Sequence, residues 1–128
     1  MEQRILMEAL VQTKRLYGLL DEVLDLSRQM AEALDRGDEV VVQMLLDMRA
    51  EPIRKLTLTD QALRSQKANL PEEEGERLAA LLNGTVQPEG AEETALFNQA
   101  VSNRRLHQQV MELEQILKRK IARGKSNH

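Results

Sequence analysis

The alternation of apolar and polar positions predicts that the chain is almost entirely helical. From about Glu2 to Leu34, apolar residues recur every three or four positions, as they do on one face of an α-helix. The same spacing returns after Asp38 and continues to about Asn69. Because further leucine and isoleucine residues widen the first stripe beyond a two-stranded seam, the first helix should have two neighbours.

The three residues between these segments, Arg36-Gly37-Asp38, are typical of a tight helical elbow. Gly37 can supply the left-handed residue that ends a helix, and Asp38 can cap the next one. The sequence therefore predicts a hairpin of two long helices over residues 1–68. Within it, Gly18 lies in mid-helix at a cost of about 1 kcal/mol relative to alanine, and Pro52 should kink the second helix.

Two further helices are predicted after the hairpin, within residues 69–91 and beyond. Leu70-Pro71 and the glutamates that follow suit the start of a short helix, since the positive end of the helix dipole favours carboxylates. Asn83-Gly84 should end this helix, and residues 85–91 should form a mobile loop. The last long helix is predicted over residues 92–122, followed by a frayed tail at 123–128.

The composition supports helix-on-helix packing in a single domain, residues 1–128. Aromatic residues make up only 2% of the chain and tryptophan is absent, so a core must come from aliphatic side chains and methionine. Straight-chain residues lose little rotamer freedom in helices, whereas sheets favour β-branched and aromatic residues. We therefore expect an all-α fold, an antiparallel helical hairpin or bundle with three long helices and one short helix.

The sequence also indicates the cellular compartment of the protein. The chain has no cysteine, which excludes disulfides, thiolate catalysis and cysteine–zinc sites. No apolar run reaches the roughly 18 to 20 residues that a membrane span needs, and the first residues do not resemble a secretory signal. We therefore expect a cytoplasmic protein that is not inserted in a membrane.

Few residues are candidates for catalysis. His107 lies on the last predicted helix and has Arg104 three positions before it, where a carboxylate-bridged metal site would need glutamate. A histidine phosphotransfer domain is the alternative of a different class, but the lysine and glycine expected beside its histidine are missing. The glycines are scattered singly, so no phosphate-binding loop is recognisable. We expect no enzyme activity, no metal and no cofactor, and we expect His107 to be an ordinary surface residue.

The last residues are basic although the whole chain is acidic. Five lysine and arginine residues lie between positions 118 and 125, whereas the formal net charge of the chain is −3. Such residues suit a helix C-terminus, whose partial charge is negative. Because no aromatic residues are interleaved with them and the protein is acidic, they are weak evidence for nucleic-acid binding, which we do not expect.

Two sets of apolar residues are candidates for contact with a partner protein. One is a stripe on the last helix, which follows the predicted mobile loop and could leave the hairpin without unfolding it. Its members are Leu106, Val110, Leu113 and Leu117. The other is the pair Met44 and Met48, one turn apart on the second helix. Methionine adapts to irregular surfaces, so this pair suits either a core or a groove for a partner's amphipathic helix.

Several local patterns occur together along the chain. They are Ala33-Leu34 before the Arg36-Gly37-Asp38 elbow, Leu45-Leu46 followed by Arg49 and Ile53, Leu70-Pro71 before a leucine-rich segment, and Asn98 to Asn103-Arg104-Arg105-Leu106 at the start of the last helix. In these patterns the chain resembles the flagellar type III export chaperones of the FlgN and FliT kind. The asparagines and the overall layout are closer to FlgN, whereas Pro52 departs from the family pattern.

The resemblance implies a cytoplasmic chaperone without enzyme activity. Such proteins hold a short helical segment of an unassembled flagellar subunit, either a hook–filament junction protein or the filament cap, and deliver it to the export apparatus. Covering an apolar stripe of the client removes it from water and prevents self-association. A general coiled-coil adaptor or regulatory protein is the alternative, and the pattern leaves a homo-oligomer open.

Overall fold

Four α-helices account for the fold. A computed structural model describes residues 1–126, and the side chains of residues 1–124. The helices are α1 (Gln3–Arg36), α2 (Glu39–Ala68), α3 (Glu72–Asn83) and α4 (Gly90–Ser126). No strand occurs within residues 1–126. The prediction of an all-α chain with three long helices and one short helix is confirmed.

The elbow between α1 and α2 has the geometry that its sequence predicts. Gly37 has a φ of 72°, in the left-handed region, and its N–H donates to the Leu34 carbonyl. The Asp38 N–H donates to the Ala33 carbonyl at 2.9 Å, and the Asp38 carboxylate accepts from the Val41 N–H at 3.1 Å. One glycine therefore ends α1, and the next residue caps α2.

α1 lies between the other two long helices, and α2 covers one of its flanks. At the end where α1 begins, here called the lower end, Gln66 of α2 donates to the Ile5 carbonyl at 2.9 Å. Further along α1, Arg49 of α2 donates to the Ser27 hydroxyl at 3.0 Å. α2 therefore returns along α1 towards the lower end.

α4 covers the other flank of α1. The contacts that join the two helices are, from the lower end upwards, Gln3 with Glu92, the Thr13 carbonyl with Asn103, and Asp35 with Lys120. Because both residue numbers rise together, α4 runs beside α1 in the same direction.

The core forms three clusters along α1. The lower cluster joins all four helices through Leu6, Ala9, Leu63, Leu78, Leu81 and Leu96. The middle cluster contains Leu20, Val23, Leu24, Leu106 and Val110, and the upper one contains Leu26, Met30, Ala33, Leu45 and Leu117. α3 therefore takes part only in the lower cluster.

α3 lies between α2 and α4 at the lower end, opposite α1. Gly75 passes so close to α2 that an added Cβ would lie 2.9 Å from the Lys67 carbonyl oxygen. On the other side, Arg77 pairs with Glu93 of α4 at 2.6 Å. α3 thus completes a four-helix arrangement over the first turns of α1 and no further.

Two features differ from their sequence-based expectations. α4 begins at Gly90, two residues earlier than predicted, and residues 123–126 continue its helix instead of fraying. The rest of the predicted tail, residues 127 and 128, lies outside the described residues.

α2 continues through Pro52 as one helix, and the predicted kink there stays a prediction.

The loop between α3 and α4 is anchored at several points. The Thr85 N–H donates to the Ala80 carbonyl at 2.9 Å, and Arg77 donates to the Gln87 carbonyl at 3.2 Å. The Glu89 N–H donates to the Glu93 carboxylate at 2.9 Å. These bonds oppose the mobility that the sequence predicts for residues 85–91.

None of the four helices, as described within residues 1–126, is both long and apolar enough to cross a bilayer.

Substitutions at Gly37 and Gly18 distinguish the effect of backbone strain on stability from the effect of packing. A Cβ built on either residue meets no atom within 4 Å, but Gly37 has a positive φ whereas Gly18 lies inside α1. Gly37→Ala should therefore lower the free energy of unfolding by about 1 kcal/mol. Gly18→Ala should raise it by up to about 1 kcal/mol. Urea unfolding followed by circular dichroism measures both, and equal effects would contradict the left-handed elbow.

Candidate functional site

An open groove lies where α3 ends. It has a volume of about 770 Å³, with α1 as its floor and α2 and α4 as its walls, and we call it the α2–α4 groove. Its apolar lining consists of Leu16, Leu20, Leu56, Leu63, Leu82 and Ala100. Its polar rim consists of Thr57, Asp60, Arg64, Asn103, Arg104 and His107.

The groove is open because α3 is too short to fill the space between α2 and α4. These two long helices both pack along α1, but their backbones hardly approach each other. At the lower end α3 covers the gap between them with Leu78 and Leu81, which are fully buried. α3 ends at Asn83, and Leu82 forms the lower limit of the groove. The groove therefore continues the position that α3 occupies.

A polar cluster that joins three helices lies above the groove. Arg49 of α2 donates to Ser27 of α1 and pairs with Glu114 of α4. Only 12% of the Arg49 side chain is exposed, so the ion pair lies largely inside the bundle. Ile53 and Met111 lie one turn from Arg49 and Glu114, respectively, and are exposed. Helical spacing places them on the same faces as the groove residues Leu56 and His107.

Two arginines fasten α3 to α4 below the groove. Arg104 donates to the Leu82 carbonyl at the C-terminal end of α3, and Arg77 pairs with Glu93. The hydrogen bond from Arg77 is the largest cause that lowers the pKa of Glu93, while burial of this carboxyl acts in the opposite direction. The Glu89 N–H lowers the pKa of Glu93 further.

The open rim of the groove has the opposite charge to the chain as a whole. It carries Arg64, Arg104 and Asp60, which sum to +1 when His107 is counted as neutral, whereas the whole chain carries −3. Asp60 is already paired with Arg64, at 2.8 Å between Oδ2 and Nε. The rim is therefore suited to an acidic group of a partner.

The predicted stripe on α4 lies in the core. Leu106, Val110 and Leu117 are buried against α1, and Leu113 is half-buried between the middle and upper clusters. The expectation of an accessible stripe does not hold in this conformation, because this face of α4 is the one that covers α1. A role of these residues in partner binding stays a prediction, and it requires α4 to separate from α1.

The predicted methionine pair lies on the surface. Met44 and Met48 are 51% and 52% exposed, and neither lines the groove. They are accessible to a partner, but their use by one stays a prediction.

The sequence pattern does not predict the groove. It predicts His107 on the surface without a role, and His107 lies exposed on the groove rim beside Arg104. Leu56 and Leu63 belong to the predicted apolar stripe of α2, yet they also line the groove. The available signal was the position of Gly84, which ends α3 after 12 residues.

The groove combines leucine side chains with hydrogen-bonding groups on its rim, which is the chemistry of a binding site for a protein segment. Among the described residues, no group of three or more histidine or acidic side chains is placed to hold a metal ion.

Comparison with known proteins identifies no relative, since no family model, no curated protein and no solved structure matches the chain.

Alanine substitutions at Leu117 and Met48 distinguish a core position from a surface position among the predicted partner-binding residues. Leu117 is 2% exposed, so Leu117→Ala should lower the free energy of unfolding by about 2 to 5 kcal/mol. Met48→Ala, on the exposed face of α2, should lower it by less than about 1 kcal/mol. Thermal unfolding followed by circular dichroism gives both values. A small effect at Leu117 would mean that α4 does not depend on this contact with α1.

Glu93→Gln should make the protein less sensitive to acid. Because the pKa of Glu93 is lowered in the folded protein, its ionised form stabilises the fold above the unfolded pKa of about 4.3. That contribution is lost as the pH falls through the lower, folded pKa. Glu93→Gln should therefore be less stable than the wild type at pH 7, by a difference that shrinks at acidic pH near about 3.

Urea unfolding at both pH values tests this expectation. Glu76→Gln, an exposed position on α3, is the matched control and should change stability little at either pH. A difference between Glu93→Gln and the wild type that is constant with pH would contradict the role of the ionised carboxylate.

Proposed function

We propose that the protein is a chaperone without enzyme activity that binds a helical segment of an unassembled flagellar subunit and keeps it competent for export. The observation that carries this proposal is the α2–α4 groove, an unfilled helix position lined by leucine. In this proposal α1 and α2 form an antiparallel hairpin that serves as a scaffold, and α4 supplies the second wall. Binding takes place in the cytoplasm, before the client reaches the export apparatus.

The lining of the groove supports reversible binding of an apolar client segment. Each client leucine that enters the groove gains roughly 1.5 to 3 kcal/mol from burial. Ordering a flexible segment costs about 2 to 5 kcal/mol, which offsets much of this gain. Association itself adds a further cost, so two or three buried leucines give at most a moderate affinity, which suits a chaperone that must release its client.

The local sequence patterns support the choice of client. The Gly37 elbow, Leu45-Leu46 and Arg49 are among the patterns in which the chain resembles the FlgN and FliT chaperones. We propose hook–filament junction proteins as the first class of client, because the layout of the last helix is closer to FlgN. The filament cap is the second class. A general adaptor for another helical partner would use the same groove, so the identity of the bound segment separates the two functions.

Filling the groove should weaken client binding without changing the core. Thr57 is exposed on the groove wall, and Ser65 is exposed elsewhere on α2. Thr57→Trp should weaken binding of fluorescent peptides from the helical segments of junction proteins by about tenfold or more, because one aromatic side chain would occupy the position of a client leucine. Ser65→Trp should leave the affinity within about twofold.

Fluorescence anisotropy gives the dissociation constants, and circular dichroism verifies that both variants remain helical. Peptides from the filament cap are measured in parallel. If no junction or cap segment binds the wild-type protein, the flagellar function is wrong.

A further inference from the structure

We propose that the occupant of the α2–α4 groove is a short amphipathic helix of a partner protein, about two turns long, whose leucine face is flanked by carboxylates. This inference rests on the proposed binding function and adds the chemistry of the segment that the groove selects. It is carried by the position of α3, the length of the groove and the charges on its rim.

α3 indicates which kind of helix this position accepts. It presents Leu78, Leu81 and Leu82 to the bundle. Beyond Leu82 the space between α2 and α4 continues with the same two walls and the same floor. A partner helix seated there would extend an interface that α3 has already begun.

The length of the groove limits the length of its occupant. Its floor extends along α1 from Thr13 to Leu20, and its wall on α4 extends from Ala100 to His107. Seven residues correspond to a rise of about 10 Å, or two helical turns. The Arg49–Glu114 pair stands above the groove, and the last turn of α3 closes it below. An occupant can therefore bury two or three leucines, which lie on one face at spacings of three and four residues.

The rim selects for acidic residues beside these leucines. Arg64 stands on the α2 wall and Arg104 on the α4 wall, so each long edge of the groove has one guanidinium. The Nε of Arg64 binds Asp60, and Nη1 of Arg104 binds the Leu82 carbonyl. Because a guanidinium has five N–H donors, both arginines can also donate to a carboxylate of the partner. A lysine at the same place would instead meet a like charge.

Three synthetic peptides test the chemistry of the occupant. Each has about 14 residues, enough for a marginal helix, and the same leucine face, with glutamate, glutamine or lysine at the flanking positions. Fluorescence anisotropy with the full chain should give the tightest binding for the glutamate peptide and the weakest for the lysine peptide. Because the rim is exposed to solvent, added salt should reduce this difference. Equal affinity for all three peptides would overturn the proposal.

Two arginines on α2 provide a matched pair of variants. Arg64 and Arg54 are both exposed, and each pairs with a carboxylate on its own helix, but only Arg64 lines the groove. Arg64→Glu should weaken binding of the glutamate peptide by about threefold to tenfold and strengthen binding of the lysine peptide. Arg54→Glu should change neither affinity. Equal effects of the two variants would mean that the rim does not recognise the peptide.

Thr57→Trp and the oligomeric state test the location and the kind of partner. Thr57→Trp should weaken binding of the glutamate peptide by about tenfold or more, and an unchanged affinity would overturn the proposal. Sedimentation should find the same monomer for the wild type and for Thr57→Trp. A wild-type dimer that Thr57→Trp dissociates would identify a second copy of this chain as the occupant and overturn the proposal as well.

Failure of this inference is distinguishable from failure of the proposed function. A flagellar segment whose binding is weakened by Thr57→Trp but unchanged by Arg64→Glu would overturn the inference and leave the function standing. Binding of the glutamate peptide in the groove, with no flagellar segment bound, would support the inference and overturn the function.

Discussion

The structure depends on covering α1, whose apolar surface is too wide for a single neighbour. Its buried residues extend from Ile5 to Ala33 and point to more than one side of the helix. The small residues Ala9, Ser27 and Ala33 are fully buried, which allows neighbouring helices to approach closely. α2 covers one flank and α4 covers the other. Since burial of apolar surface is the main driving force of folding, this double coverage determines where the remaining helix can lie.

Two helices on the flanks of a third leave a gap between themselves, and this gap becomes the groove. α3 fills its lower part, and the glycine at position 84 stops α3 before the upper part is filled. Arg104 then holds the end of α3 in place by binding the Leu82 carbonyl, a group that has no partner within the helix. The candidate site therefore results from the length of one short helix, and the residues that line it also belong to the core that holds the bundle together.

Local features of the fold could be predicted from the sequence, because they depend on residues near one another in the chain. The left-handed Gly37 and the capping Asp38 are of this kind. The environment of the α4 stripe could not be predicted, since periodicity indicates that Leu117 faces an apolar surface but not whether that surface is α1 or a client. The sequence likewise shows Arg49 as a polar residue within an apolar stripe, but its partner Glu114 lies 65 positions away. The groove depends on which faces of distant helices meet, so no local pattern encodes it.

The half-buried pair of Arg49 and Glu114 also restricts how the helices can slide along one another. Leucine-rich faces look nearly alike after one turn, so leucines alone would tolerate a shift of about 5.4 Å between α4 and its neighbours. Such a shift would separate Glu114 from Arg49 and leave a half-buried charge without its counter-ion, which is unfavourable. It would also remove the bond between Asn103 and the Thr13 carbonyl. These polar contacts therefore select one register of the bundle, and with it one length of the groove.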